Sequence, residues 1–247
     1  MSKSKIEWTD VTWNPVTGCT KISPGCKHCY AERFAERFRG IPGHPYEQGF
    51  DIKLHPERIL QPRTWKTAKL VFVNSMSDLF HKDVPDEFID KVFDSMGETT
   101  RHTYQVLTKR AERMDEYARA RVARTGAPIP EHIWLGASVE TQGYIGRAQI
   151  VAALPTKVRW LSVEPLIGPV DLSGLLGPDK VNWVVVGGES GPGARPMDAA
   201  WVLTLQAQCA AATVPFFFKQ WGGVRKKETG CALAGHERKE YPGHVRN

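Results

Sequence analysis

The sequence has no long hydrophobic run. Its apolar stretches, among them Val184–Val186 and Val214–Phe218, fall far short of the roughly 18 residues a membrane-crossing helix needs, so no membrane partner is expected. The N-terminus, Met1-Ser-Lys-Ser-Lys-Ile-Glu-Trp8, carries two lysines with no apolar stretch behind them. No secretory signal is read there, and a cytoplasmic chain is expected. Internal repeats and low-complexity tracts are absent too. Cysteine is scarce and odd in number, at five, which without an export signal argues against a disulfide framework. Disorder is excluded as the main state, because 41% apolar and 24% charged residues is an ordinary globular balance. A chain of 247 residues with a net charge of +6 is compatible with a nucleic-acid partner without requiring one.

What is present is a regular beat. Short apolar, β-branched or aromatic runs stand at Leu70–Val73, Tyr104–Leu107, Ile133–Leu135, Val158–Val163, Val181–Val186 and Pro215–Phe218, their starts 34, 29, 25, 23 and 34 residues apart. That is the length of a strand-plus-helix unit. The stretches between read as amphipathic helices. Pro85 opens one with Phe88, Ile89, Val92, Phe93 and Met96 at helical spacing; others run over about Lys109–Arg124 and Tyr144–Leu154. A further one starts at Asp198, a good N-cap, with Val202, Leu205, Cys209 and Ala212 on one face. Alternation of this kind predicts an α/β chain with a parallel sheet, buried on both sides.

Polar groups follow nearly every strand: Asn74-Ser-Met-Ser-Asp78, Thr108-Lys-Arg110, Ser138-Val-Glu140, Ser162-Val-Glu-Pro165, Gly187-Gly-Glu-Ser190 and Lys219-Gln-Trp221. In parallel sheets and barrels the loops leaving the C-terminal strand ends converge on one site. The prediction is one domain over 1–247, a partial or closed (β/α) barrel with a polar mouth. A cysteine loop lies near 14–32 and a C-terminal extension near 222–247.

Three cysteines, Cys19, Cys26 and Cys29, form a C-x6-C-x2-C set in a Gly- and Pro-rich loop before a helix over about Tyr30–Phe38. Structural zinc closes with four ligands, and no second C-x2-C or H-x3–5-H pair is present. His28 stands between two of the cysteines, Cys209 on an apparent core face and Cys231 near the chain end. A 4Fe-4S cluster fits three thiolates better and keeps one iron open for a small molecule. Structural zinc and unligated thiols remain the alternatives.

These residues resemble the radical S-adenosylmethionine superfamily, and more closely a phage-associated branch marked by its three-cysteine motif, with a distant likeness to photoproduct lyases. The segments that carry the resemblance are Trp13–Cys19 through Tyr30-Ala-Glu32, Val73–Asp78, Val106–Arg110, Trp134–Glu140, Leu161–Leu166, Val186–Ser190 and Phe218–Gly222. One departure stands out: the superfamily's usual spacing is C-x3-C-x2-C. The resemblance implies a radical-SAM-like fold, S-adenosylmethionine at the open iron and an electron donor as partner. Reductive cleavage of the cofactor then starts radical chemistry on a substrate. It implies His28 near the adenine, with Tyr30 beside it, and Ser75, Ser77 and Asp78 toward the ammonium group. Lys109 would hold the carboxylate, Ser138 and Glu140 the ribose hydroxyls, and Glu164 cofactor or substrate. Glu189 and Arg195, with Lys219, Gln220 and Trp221, are assigned to the substrate side, where the glycines of Gly187–Arg195 allow close approach of a ligand. Nucleic-acid repair or modification suits the charge.

Two other classes compete. One is a nucleic-acid-binding module with a structural metal, supported by the basic helix over Lys109–Arg124 and by Arg225-Lys-Lys227. The other is a divalent-metal hydrolase with Asp78, Glu140, Glu164 and Glu189 as ligands.

Overall fold

The structure is a computed structural model that describes residue 4 and residues 6–243, without the side chains of 226 and 227. Lys3 and Lys5, the side chains of Lys226 and Lys227, and residues 244–247 of the expected extension lie outside the described residues.

Seven parallel strands form one half-barrel sheet in the order β1 (Val11–Trp13), β4 (Leu70–Val73), β5 (Thr103–Thr108), β6 (Ile133–Ser138), β7 (Arg159–Val163), β8 (Trp183–Gly187) and β9 (Phe216–Gln220). After β1 the order follows the chain, as successive right-handed crossovers require. Two short strands, β2 (Val16–Thr17) and β3 (Lys53–Leu54), pair antiparallel beside the cysteine loop, and β10 (Ala232–Leu233) pairs with β11 (His236–Glu237).

The helices, all but the last, lie where the sequence reading puts them. They are α1 (Tyr30–Ala35), α2 (Asp86–Glu98), α3 (Ala111–Thr125), α4 (Ile145–Ala152), α5 (Ala199–Ala211) and α6 (Lys226–Thr229). Helix α2 buries Phe88, Ile89, Val92, Phe93 and Met96, and α5 buries Val202, Leu205 and Cys209. The expected helix over Tyr30–Phe38 instead tightens into a 3-10 turn at Glu36–Phe38. Asp198 caps α5, its carboxylate accepting from the Ala200 amide at 2.8 Å. Asp198→Ala will therefore lower stability by about 1 kcal/mol, seen as a lower urea midpoint at unchanged m-value.

Strand alternation divides the core in two. Outward residues such as Val71, Val73, Tyr104, Val106, Leu135, Leu161 and Val184 join the helices in the main hydrophobic cluster. Inward residues Phe72, Trp134, Trp160, Trp183, Val185 and Phe217 form a second, aromatic cluster with Trp8 from the segment before β1. Tyr241 enters it from the other end of the chain, stacking on Trp183 at 5.6 Å, while the Trp183 indole donates to the Glu240 carbonyl. The lower barrel is thus filled with rings, and a cavity opens at its upper, C-terminal end.

Candidate functional site

Above that aromatic floor, at the C-terminal strand ends, lies a cavity of about 510 Å³ lined by residues from β4 through β9 and from the cysteine loop. Its inner end is apolar: Trp8, Phe72 and Leu107. Cys19, Cys26 and Cys29 all line it. The loop that brings them there is tied down backbone to backbone. The Gly18 amide donates to the Met76 carbonyl at 3.0 Å and the Cys19 amide to that of Phe50 at 3.1 Å. Asn14 accepts from the Met76 amide and the Ser75 hydroxyl, joining the exits of β1 and β4. Burial pushes the Cys19 thiol up to about 11, with Asp78 adding to the rise and Arg110 opposing it. Burial also raises Cys29, against the amides of Glu32 and Ala31 that favour its thiolate.

Four carboxylates ring the site, and each is matched to a base. Asp78 accepts from Phe80 and Lys109 amides, the Thr108 hydroxyl at 2.6 Å and Arg110 Nη1 at 2.8 Å. Glu140, with 0% exposure, accepts from Ser23 Oγ at 2.6 Å, Lys109 Nζ at 2.5 Å and Arg147 Nη1 at 3.0 Å. Glu164 pairs with Lys219 at 2.5 Å, and Glu189 with Arg195 at 2.6 Å. Burial works to raise Glu140, but its attraction to Lys109, the hydrogen bonds from Lys109 and Ser23, and Arg147 leave it below the usual carboxylate range. Glu189 is likewise held low, burial being outweighed by the Arg195 hydrogen bonds. Carboxylates neutralised in this way are poor ligands for a divalent ion, so the hydrolase reading loses its ligand set. Among the described residues, no three His, Cys, Asp or Glu side chains are grouped as ligands of a single ion.

Of the residues singled out in the sequence, His28, Tyr30, Ser75, Ser77, Asp78, Lys109, Ser138, Glu164, Glu189, Lys219 and Gln220 line the cavity with the three cysteines. Tyr30 reaches across to donate its hydroxyl to the Ser75 carbonyl at 2.5 Å. Glu140, Arg195 and Trp221 do not line it. Gly25 lies directly over Glu140, where a Cβ would stand 2.4 Å from Oε1. The carboxylate therefore braces the cysteine loop from beneath. Arg195 likewise reaches the loop, donating to the Pro24 carbonyl at 3.0 Å. Trp221 packs edge-on against Phe218 and donates its indole N–H to Ala232.

The glycine expectation at Gly188 changes meaning. A Cβ there would meet the Trp221 carbonyl oxygen at 2.0 Å, so the glycine is required by the crossing of the chain leaving β9 rather than by a ligand. Among residues that the sequence reading assigned no role, Arg110 and Ser162 line the site. Arg110 Nη1 contacts Cys19 Sγ at 3.6 Å as well as Asp78. Ser162 stands beside Ser138 in register. Alternation along β7 carried the signal for Ser162, since it shares a face with Glu164.

Comparison with known proteins adds little beyond the family. A family model described as "Protein of unknown function (DUF5131)" matches residues 3–242. No curated protein matches the chain. Among solved structures the chain is similar to a mutant of spore photoproduct lyase, at 14% identity and a TM-score of 0.48, over 75% of this chain. The match covers 57% of that structure's chain, so this chain answers to little more than half of it.

Proposed function

The chain belongs to the DUF5131 family, and from that premise we propose that it is an iron–sulfur enzyme of the radical S-adenosylmethionine type. The observation that carries this reading is the convergence of Cys19, Cys26 and Cys29 from one loop onto one cavity at the mouth of a parallel half-barrel. The donor set fits a cluster. The sulfurs are the soft ligands left once each of the four carboxylates has its own base, and a cube binds each thiolate at a different iron.

In this reading Cys19, Cys26 and Cys29 hold the cluster, and Arg110 beside Cys19 offsets thiolate charge. When bound, cluster and S-adenosylmethionine together supply one-electron cleavage of the sulfonium and abstraction of a substrate hydrogen. The protein's own task is to orient ligands and exclude water. His28, Tyr30, Ser75, Ser77, Asp78, Lys109 and Ser138 form the cofactor side, where Asp78 and Lys109 are already engaged by neighbours. The Ser138 hydroxyl has no protein partner among the described residues, which suits it to a ribose hydroxyl. Glu189, Lys219 and Gln220 fall to the substrate side, and an electron donor is the partner required.

The deciding experiment is anaerobic reconstitution with iron and sulfide, then dithionite and S-adenosylmethionine, with chromatography for 5′-deoxyadenosine. Its formation above a heat-killed control is expected, and iron-loaded protein that forms none would overturn the proposal. Ser138→Ala will leave iron content unchanged and weaken S-adenosylmethionine binding by about two- to tenfold, the loss of one neutral hydrogen bond. Calorimetric titration checks this, and unchanged affinity would remove Ser138 from the cofactor side.

A further inference from the structure

Away from the cysteines, Ser162 on β7, Glu164 just past its end and Lys219 on β9 line one wall of the cavity. Strand β8 runs between their two strands. The Lys219–Glu164 bridge, 2.5 Å long, therefore spans a whole strand. It can do so because Gly187 lies on that strand, where a Cβ would come within 3.3 Å of the Glu164 carboxyl carbon. Below the bridge, Ser162 is 2% exposed, and its hydroxyl has no hydrogen-bond partner among the described residues. Ser162 lines the cavity, so its hydroxyl is free to meet a ligand there.

We propose that Ser162, Glu164 and Lys219 form the substrate subsite of this cavity, and that its occupant is an uncharged planar ring with an amide-type edge, as in a pyrimidine base. The inference rests on the reading of the cavity as an active site but not on the presence of a cluster. The charge argument runs first. Lys219 and Glu164 neutralise each other, so an ionic head group would gain one partner only by stripping the other. An edge with adjacent C=O and N–H suits both: the ammonium has further protons to donate to the carbonyl, and the carboxylate has further lone pairs to accept from the N–H. Ser162 supplies a third, neutral contact. Shape comes next. The cavity's inner end is made by the Trp8 and Phe72 rings, packed edge-to-face at 4.7 Å, a surface that suits a flat ring over a flexible chain.

The test is direct binding, by calorimetry, of uridine and of a short single-stranded oligouridylate to the protein without iron. The same titrations are repeated with S-adenosylmethionine at saturation. Uridine is expected to bind, and N3-methyluridine, which lacks the ring N–H, to bind about tenfold or more weakly. Ser162→Ala is expected to weaken uridine binding about two- to tenfold, with the loss for N3-methyluridine no larger. The methylated probe needs no protein variant, so the test survives if a substitution fails to fold. A polymer substrate is indicated if the oligonucleotide binds more tightly than the nucleoside, and a free nucleoside if it does not. Absence of binding by both probes, indifference to N3-methylation, or displacement of uridine by S-adenosylmethionine would each overturn the proposal. Because the measurement needs no iron, its outcome is separate from that of the 5′-deoxyadenosine experiment.

Discussion

Cys19→Ala, Cys26→Ala and Cys29→Ala proteins will each emerge from anaerobic reconstitution without an intact cluster, while Cys209→Ala and Cys231→Ala will keep parental iron and sulfide. The expectation follows from ligand supply at the cavity. Three thiols line it, and removal of any one leaves two, with no replacement ready. The nearest carboxylates are committed: Asp78 to Arg110, Glu140 to Lys109 and Arg147, Glu189 to Arg195. Cys209 is packed in the core on α5, where burial pushes its thiol up to about 12, and Cys231 donates to Glu237 away from the cavity. The measurement is iron and acid-labile sulfide per chain, with visible absorbance as a second readout. Full iron in Cys19→Ala would sink the three-ligand assignment, because that residue is the one set apart by the six-residue spacing. Melting temperatures near the parent's in all five variants would show that metal loss is not unfolding.

How much of this was legible in the sequence depends on how local each cause is. The strand–helix beat was visible because apolar runs and helical periodicities are properties of short windows. Some strand ends ran further than the apolar runs, since Ser138 and Gln220 continue the ladder although their side chains are polar. Strand β1 was hidden. Val11–Trp13 is three residues long and becomes a strand only by pairing with Val71–Val73. The β2–β3 pair was equally silent, because Val16 meets Leu54 across a loop that no local pattern closes. At the site, residue types were readable and pairings were not. Lysine and arginine at 109 and 110 look interchangeable in sequence, yet the chain turns one toward Glu140 and the other toward Cys19 and Asp78. The glycines after β8 announced close approach correctly but not its partner, which at Gly188 is the chain's own backbone.

The largest effect on the folded site is expected at Glu140. Glu140→Ala strands two basic groups, Lys109 Nζ and the buried Arg147 guanidinium, and frees the Ser23 hydroxyl that ties the cysteine loop to β6. Removing one partner of a buried ion pair costs about 3–5 kcal/mol, mostly because the remaining charge stays buried and unpaired. Glu140→Gln will cost less, since an amide oxygen at the Oε1 position still accepts from Ser23 and Lys109 and only the Arg147 contact at Oε2 is lost. The pH dependence has a definite sign. Glu140 titrates lower in the folded chain than in the unfolded one, so its contribution is fully present above the unfolded value, about 4.3. That contribution fades as pH falls through the folded value. Urea midpoints of the parent should thus drop by more than those of Glu140→Gln as pH is taken from about 5 down past about 4, since glutamine has no proton to bind at that position. Equal drops would mean that other carboxylates dominate the acid response. An unchanged midpoint for Glu140→Ala at pH 7 would mean that water reaches Lys109 and Arg147 and that the brace is not there. Between those outcomes iron retention is the sharper reading. If Glu140 holds the cysteine loop in place through Ser23, Glu140→Ala protein that is still folded will lose cluster faster than the parent, although Glu140 itself touches neither sulfur nor ligand.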